Sequence, residues 1–204
     1  MDRDAFIRAC REGGTAIERA LRELDRSFFA KLYQIGVQTL HDADAARDLV
    51  QDTFIKVWQR CATYRGDSDL LPWIKAILRH GAIERLRRRN IEVPLEDDQG
   101  LTSEAALSIV NSSLESADTP EQAAGQRLRA EAFHRGWAQF QKDDPLRASV
   151  MSWIVEDGLS NDDIAQLLER SPGATREFIS QCRKRVRVYL AEWYALALDF
   201  GGTR

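Results

Sequence analysis

Two stretches of the chain gather cations at helical spacing. Arg85-Leu86-Arg87-Arg88-Arg89 places four guanidinium groups in five positions. Arg176, Arg183, Lys184, Arg185 and Arg187 form a second group, opposed over that span only by Glu177. Cations near a helix C-terminus favour the macrodipole, which accounts for one or two of the first group but not for four. The alternative chemistry is phosphate binding, in which cations fix a protein on a nucleic-acid backbone while neighbouring side chains read base edges. Arg and Gln can read bases, and Glu can accept from cytosine. Arg176, Glu177, Ser180, Gln181 and Lys184 lie off the apolar face made by Phe178, Ile179, Cys182, Val186 and Leu190, so they are the residues placed for such reading. The plain alternative is a helical hairpin whose charged face is only solvated.

No comparable set supports catalysis. His41, His80 and His134 have no metal-ligand spacing with one another or with cysteine. There is no glycine-rich phosphate loop and no nucleophile motif. The expectation is therefore no enzyme, no cofactor and no metal site. Cys10, Cys61 and Cys182 are odd in number and far apart, which predicts reduced thiols rather than a disulfide framework or a zinc site. No apolar run approaches the roughly 20 residues of a membrane-spanning helix. Met1-Asp2-Arg3-Asp4 leads into no signal-peptide core. A cytoplasmic protein without a membrane partner is expected.

Net charge at first opposes nucleic acid. The 204 residues carry 29 Lys+Arg against 32 Asp+Glu, a net −3, where a nucleic-acid binder is ordinarily basic. The distribution reverses that reading. Residues 25–89 have twelve cations and eight carboxylates, and residues 126–204 have twelve and eleven. Residues 90–125 have eight carboxylates and no cation. That acidic segment also lacks aromatic residues and contains Pro94 and Pro120. It reads as a flexible linker, with one weakly helical patch over 101–110. The expected organisation is all-α: two small helical domains, 1–89 and 121–204, joined by the acidic linker 90–120.

The elements that position the cations are helices. Residues 3–24 are amphipathic, with Gly13-Gly14 a point of interruption, and 26–40 continue helically. His41-Asp42-Ala43-Asp44 reads as a turn and N-cap. Ala45 to Cys61 follows, with Ala46, Leu49, Val50, Phe54, Val57 and Trp58 on its apolar face. Arg47, Asp48, Gln51, Asp52, Ile55 and Gln59 fall on the other face. Arg65-Gly66-Asp67-Ser68-Asp69 is a turn-rich loop, and Pro72 to Arg89 is helical. In the second half, helices are predicted over about 121–141, 146–157, 160–169 and 174–197. The last two flank Ser171-Pro172-Gly173 and make a helix-turn-helix pattern.

At this point a family resemblance emerges. Asp48-Leu49-Val50-Gln51-Asp52-Thr53-Phe54-Ile55-Lys56-Val57-Trp58, Tyr64-Arg65-Gly66-Asp67-Ser68, Trp73-Ile74-Lys75-Ala76-Ile77 and Ala82 to Arg89 resemble region 2 of the extracytoplasmic-function (ECF) sigma factors, group IV of the primary-sigma-like family. Gly158-Leu159-Ser160-Asn161-Asp162-Asp163-Ile164-Ala165, with the turn and basic helix after it, resembles region 4. The order matches too: region 2, a linker without region 3, then region 4. The resemblance covers about 26–89 and 121–190.

It implies a bacterial transcription initiation factor whose partners are core RNA polymerase and promoter DNA. Asp48, Gln51, Asp52 and Ile55 would dock on the polymerase, where acidic and amide groups suit a basic surface. Arg65, Ser68, Trp73, Lys75, Arg79, His80, Arg87 and Arg88 would melt and hold the −10 element as single strand. Thr175, Arg176, Glu177, Ser180, Gln181 and Lys184 would enter the −35 major groove. The family often has Asn where His80 stands and a Thr-Val-Lys-Ser-Arg-like start where Ala174-Thr175-Arg176-Glu177-Phe178 stands, so no familiar consensus is carried over. The acidic linker would suit a basic polymerase channel, or be a solvated spacer.

The docking helix departs from the pattern. The family commonly reads Asp-Ala-Glu-Asp before Leu-Val-Gln, and here the four positions are Ala45, Ala46, Arg47 and Asp48. An ECF subgroup with this acidic deficit is controlled by threonine phosphorylation in region 2. A phosphate adds about −2, and Thr53 is the acceptor this resemblance points to. A buried threonine bonding back to the preceding turn is the alternative. The regulator would be a Ser/Thr kinase or an anti-sigma factor. Two further readings remain: a helix-turn-helix regulator acting without polymerase, and a decoy that binds an anti-sigma factor.

Overall fold

A computed structural model describes residues 2–90 and 120–201. Among the described residues every regular element is a helix, with no strand. In chain order the helices are α1 (Arg3–Glu12), α2 (Gly14–Leu40), α3 (Ala43–Arg60), α4 (Leu70–Asn90), α5 (Pro120–Asp143), α6 (Pro145–Val155), α7 (Asn161–Leu168), α8 (Pro172–Tyr189) and α9 (Ala191–Gly201); a 3-10 turn, Cys61–Thr63, follows α3. The expected linker over 90–120, including its helical patch at 101–110, lies almost wholly outside the described residues. Two compact units are present: Met1–Pro94 with Asp162–Arg170, and Leu95–Asn161 with Ser171–Arg204. The short helix α7 is thus grouped with the first unit, although it directly precedes α8 in the chain.

In the first unit, α3 packs on α2 and α4. The chain reverses between α2 and α3 through His41, which adopts the left-handed conformation at φ 54°, and Asp42, whose carboxylate accepts from the amides of Asp44 and Ala45. This is the predicted turn and N-cap, and it satisfies amides that the helix itself leaves orphaned. A β-carbon added at Gly36 would sit 3.1 Å from the Ala46 β-carbon, so small residues set the approach of α2 to α3. The core takes Ile17, Leu24, Leu32 and Leu40 from α2, Leu49, Val50 and Val57 from α3, and Ile74, Ile77, Leu78, Ile83 and Leu86 from α4. Burying each such side chain contributes about 1.5–3 kcal/mol.

Gly13 and Gly14 both have positive φ, at 68° and 50°, and separate α1 from α2. The expected interruption is therefore a full break. It lets α1 turn back against α2 and the 3-10 turn. This packing overturns the expectation of three reduced thiols: Cys10 and Cys61 are bridged, with α-carbons 5.6 Å apart across a sequence separation of 51. Spacing along the chain conceals the pair, because only the fold-back of α1 brings it together. Cys182 is buried in the second unit and outside the pair.

In the second unit, α5 packs on α6, α8 and α9. Phe133 stacks on Trp137 and meets Trp193 edge-on, and Trp137 meets the fully buried Phe140. A β-carbon at Gly136 would overlap the Tyr189 carbonyl oxygen, so only glycine lets α5 pass there. The last predicted helix, 174–197, differs in two ways. It starts at Pro172, because Ser171 caps it by accepting from the Ala174 amide and proline suits a first helical turn. It also ends at Tyr189, where Leu190 (φ −94°, ψ 15°) leaves helical geometry before α9 begins.

Candidate nucleic-acid interface

The loop after the 3-10 turn is tied from within. The Tyr64 hydroxyl donates to the Ser68 carbonyl, and burial raises the Tyr64 pKa above its ordinary 10.0. Gly66 has φ 81°, a conformation that glycine alone adopts without strain. Arg65, Asp67, Ser68 and Asp69 point to solvent. The Trp73 ring lies 4.7 Å from the Tyr64 ring, tilted by 38°, and is half-buried. Arg65, Ser68 and Trp73 therefore lie on or beside one loop.

Helix α4 continues from that loop. Lys75 and His80 are half-buried. Burial lowers the His80 pKa below its ordinary 6.5, opposed by Glu169 and reinforced by Arg60, Lys56 and Arg87. His80 is therefore a neutral hydrogen-bonding ring at neutral pH. Arg79 needs correction as a DNA contact: it is only 5% exposed. Leu78, Arg79, Gly81, Ala82 and Ile83 are all buried, so α4 is enclosed on more than one side and has no single apolar stripe.

The cationic end of α4 divides in use. Arg85 reaches back to α3, bonding Asp52 at 2.6 Å and the Ala45 carbonyl at 3.2 Å. Arg87 and Arg88 are exposed; Arg87 donates to the Leu168 carbonyl at 2.6 Å, and Arg88 pairs with Glu84. The side chain of Arg89 lies outside the described residues.

On α3, Asp48, Gln51 and Asp52 are exposed beside Ile55, itself 50% exposed. Trp58, expected on the apolar face, is 57% exposed and extends this stripe. Asp48, Gln51, Ile55 and Trp58 are spaced by three or four residues and so share one face. Sequence reasoning missed Trp58 because an indole is apolar enough to read as core. Thr53, the phosphate acceptor that the resemblance points to, lies on the packed face of α3. It is 1% exposed, and its hydroxyl donates to the Leu49 carbonyl at 2.7 Å. That is the buried, back-bonded alternative.

On α8, Arg176 and Glu177 are exposed, and Ser180, Gln181 and Lys184 are half-exposed on the same side. Gln181 donates to Glu177 at 3.3 Å. Thr175, expected in the groove, is fully buried, and its hydroxyl donates to the Ser171 carbonyl at 3.0 Å. It holds the start of α8 and does not face a groove. Phe6 was missed altogether, although Phe6 and Cys10 stand four residues apart on one face of α1 and so signal a second contact surface.

Residues 24–91 match the family model for Sigma-70 region 2. The chain is 28% identical over 170 residues to the RNA polymerase sigma-H factor of Pseudomonas aeruginosa, covering 83% of this chain and 85% of that one. It is 24% identical over 151 residues to the RNA polymerase sigma factor YlaC of Bacillus subtilis, covering 73% and 79%. To the ECF RNA polymerase sigma-E factor of Haemophilus influenzae it is 27% identical over 143 residues, covering 68% and 71%. Helix α1 lies outside the matched region 2. Taken with the geometry of α3, α4 and their loop, the region 2 match and these relatives support an ECF-type sigma factor.

Proposed function

We propose that this chain binds core RNA polymerase and directs it to promoters as an alternative sigma factor. The observation that carries the reading is the outer face of α3. Ile55 and Trp58 remain half-exposed beside Asp48 and Gln51 on a helix whose opposite side is fully packed. An exposed aromatic–aliphatic pair edged by carboxylate and amide suits a protein partner with a basic, partly apolar surface. Arg65, Ser68, Trp73, Lys75 and His80 would then hold the opened −10 strand, with Arg87 and Arg88 near phosphate. Arg176, Glu177, Ser180, Gln181 and Lys184 would meet the −35 groove. Arg79 and Thr175 act beneath these surfaces as positioning residues.

Control by a kinase at Thr53 finds no support in this geometry, since α3 would have to lift from α2 and α4 before the hydroxyl could be reached. The test of the main reading is run-off transcription with purified core polymerase on a library of genomic fragments. Specific transcripts that appear with the protein and vanish with Ile55→Asp/Trp58→Ala are expected. Absence of any specific transcript, or specific duplex binding by the protein alone, would overturn it in favour of a regulator acting without polymerase.

A further inference from the structure

Helix α1 is tied to the 61–73 segment by three contacts of different chemistry. Arg3 donates through Nη1 to the Gly66 carbonyl at 2.9 Å. Phe6 is fully buried, its ring 5.8 Å from Tyr64 and 6.1 Å from Trp73. Cys10 is bridged to Cys61, and the 5.6 Å separation of their α-carbons lies within the roughly 4.4–6.8 Å that a disulfide spans. The first two fall on the loop and on the Trp73 ring assigned above to single-stranded DNA, and the third anchors α1 at the 3-10 turn that leads into them. Phe6 occupies ring surface that an unstacked base would otherwise use.

We propose that Cys10 and Cys61 form a reversible thiol–disulfide switch, and that oxidation pins α1 against Tyr64, Trp73 and the Gly66 carbonyl, withholding the Trp73 ring face beside the exposed 65–69 loop from single-stranded DNA. The proposal rests on the sigma-factor reading for its consequence, but the lock itself does not. Where RNA polymerase works, thiols are ordinarily kept reduced, and disulfides formed there are transient, catalytic or redox-sensing rather than structural. Without the bridge, α1 is a ten-residue helix, shorter than the roughly 12–15 residues that hold a helix in water unaided. It joins α2 through two glycines of positive φ. It can therefore swing away about this joint, giving up its packing on α2 and the burial of Phe6.

The chemistry balances with a peroxide as oxidant. Cys10 is half-buried and Cys61 only 6% exposed, so Cys10 meets the oxidant first. The Cys10 thiolate attacks one peroxide oxygen; the O–O bond breaks, hydroxide leaves and takes a proton to become water, and Cys10 becomes a sulfenic acid. The Cys61 thiolate then attacks the Cys10 sulfur, the S–O bond breaks, and the second hydroxide leaves and is protonated to water. Two thiols and one peroxide give one disulfide and two waters, the two electrons coming from sulfur. A dithiol reverses this by exchange, ending as its own disulfide.

The experiment compares full-length protein treated with hydrogen peroxide or with dithiothreitol, alongside Cys10→Ala and Cys61→Ser. Peptide mapping by mass spectrometry reads the bridge, amide exchange reads α1 and the loop, and run-off transcription with core polymerase reads the consequence. We expect a Cys10–Cys61 peptide after peroxide, exchange of residues 3–12 and 64–69 slowed at least tenfold, and transcription lowered at least tenfold and restored by dithiothreitol. Cys10→Ala, at the half-buried position, stays active in both conditions even if Cys61→Ser fails to fold. No bridged peptide, or equal exchange in the two states, overturns the lock. Equal transcription from bridged and reduced protein overturns the withholding of Trp73. Redox-dependent exchange with no transcript from any form, Cys10→Ala included, sustains the lock and instead overturns the sigma-factor reading.

Discussion

Helices α3 and α8 are both 18 residues long, and both bury one face and present the other. Their outward chemistry is opposite. Helix α3 shows Asp48, Gln51, Ile55 and Trp58, a mixed acidic and apolar stripe. Helix α8 shows Arg176, Arg183 and Arg185 exposed, with Lys184 and Arg187 half-exposed. The first stripe suits a protein partner and the second a polyanion. Their buried sides share a device. Thr53 and Thr175 each sit among apolar residues and each donates to the carbonyl four residues back, Leu49 and Ser171. The comparison shows that each helix gathers its distinctive outward chemistry on one face, and that a threonine can sit on the other face without violating its polarity.

The strongest way to break this comparison is to put charge on the shared device. Thr53→Glu and Thr175→Glu would each bury an unpaired carboxylate, and we expect losses of about 3–5 kcal/mol in denaturant unfolding. Thr53→Val and Thr175→Val keep the shape and remove one hydrogen bond, costing about 1 kcal/mol. If Thr53→Glu were as stable as Thr53→Val, Thr53 would be accessible and its place on the buried face would be wrong. A transcription assay on Thr53→Glu alone would confuse lost folding with lost regulation, so stability must be measured first.

Most of the helical fold was legible because apolar spacing repeats and caps carry signatures. Asp42 and Ser171 are short polar side chains at helix entries, and both cap as such residues do. The errors share a physical origin. Thr175 looks polar, yet it satisfies its hydroxyl locally and can be buried. Arg79 looks like a surface cation, yet its helix is enclosed on several sides. Trp58 looks like core, yet large apolar residues at partner surfaces are left out of the fold's own core. In each case residue type was read in place of environment, and environment is set by tertiary packing. The Cys10–Cys61 bridge was illegible for another reason: its two ends meet only after Gly13 and Gly14 turn α1 back on the unit.

A moderate effect should separate the two outward faces by salt. With protein bound to core polymerase, promoter affinity should fall with salt at a slope of about −0.9 per phosphate neutralised. Removing one phosphate contact by Lys184→Ala or Arg176→Ala should make the slope shallower by about 1. Ile55→Ala on α3 should weaken polymerase binding, by about tenfold if it is a buried anchor, and leave the promoter salt slope unchanged. Equal slopes in all three variants would mean that α8 does not touch the DNA backbone.

The smallest expected effect tests whether every carboxylate on α3 serves the partner. Asp52 is held at 2.6 Å by Arg85, with side-chain exposures of 57% and 27%. Asp48 is also exposed, but it stands one turn earlier on the stripe that carries Ile55 and Trp58. A half-exposed pair contributes little, so Asp52→Asn should cost about 0.5 kcal/mol of stability. It should leave polymerase affinity within about twofold, because Arg85 already neutralises that carboxylate. Asp48→Asn should do the reverse: no change in unfolding midpoint, and a slower association with polymerase that disappears at high salt, as expected for a rim charge. If Asp52→Asn slowed association as much as Asp48→Asn, Arg85 would have to release Asp52 on docking. The ion pair would then belong to the partner surface and not to the packing of α3 on α4.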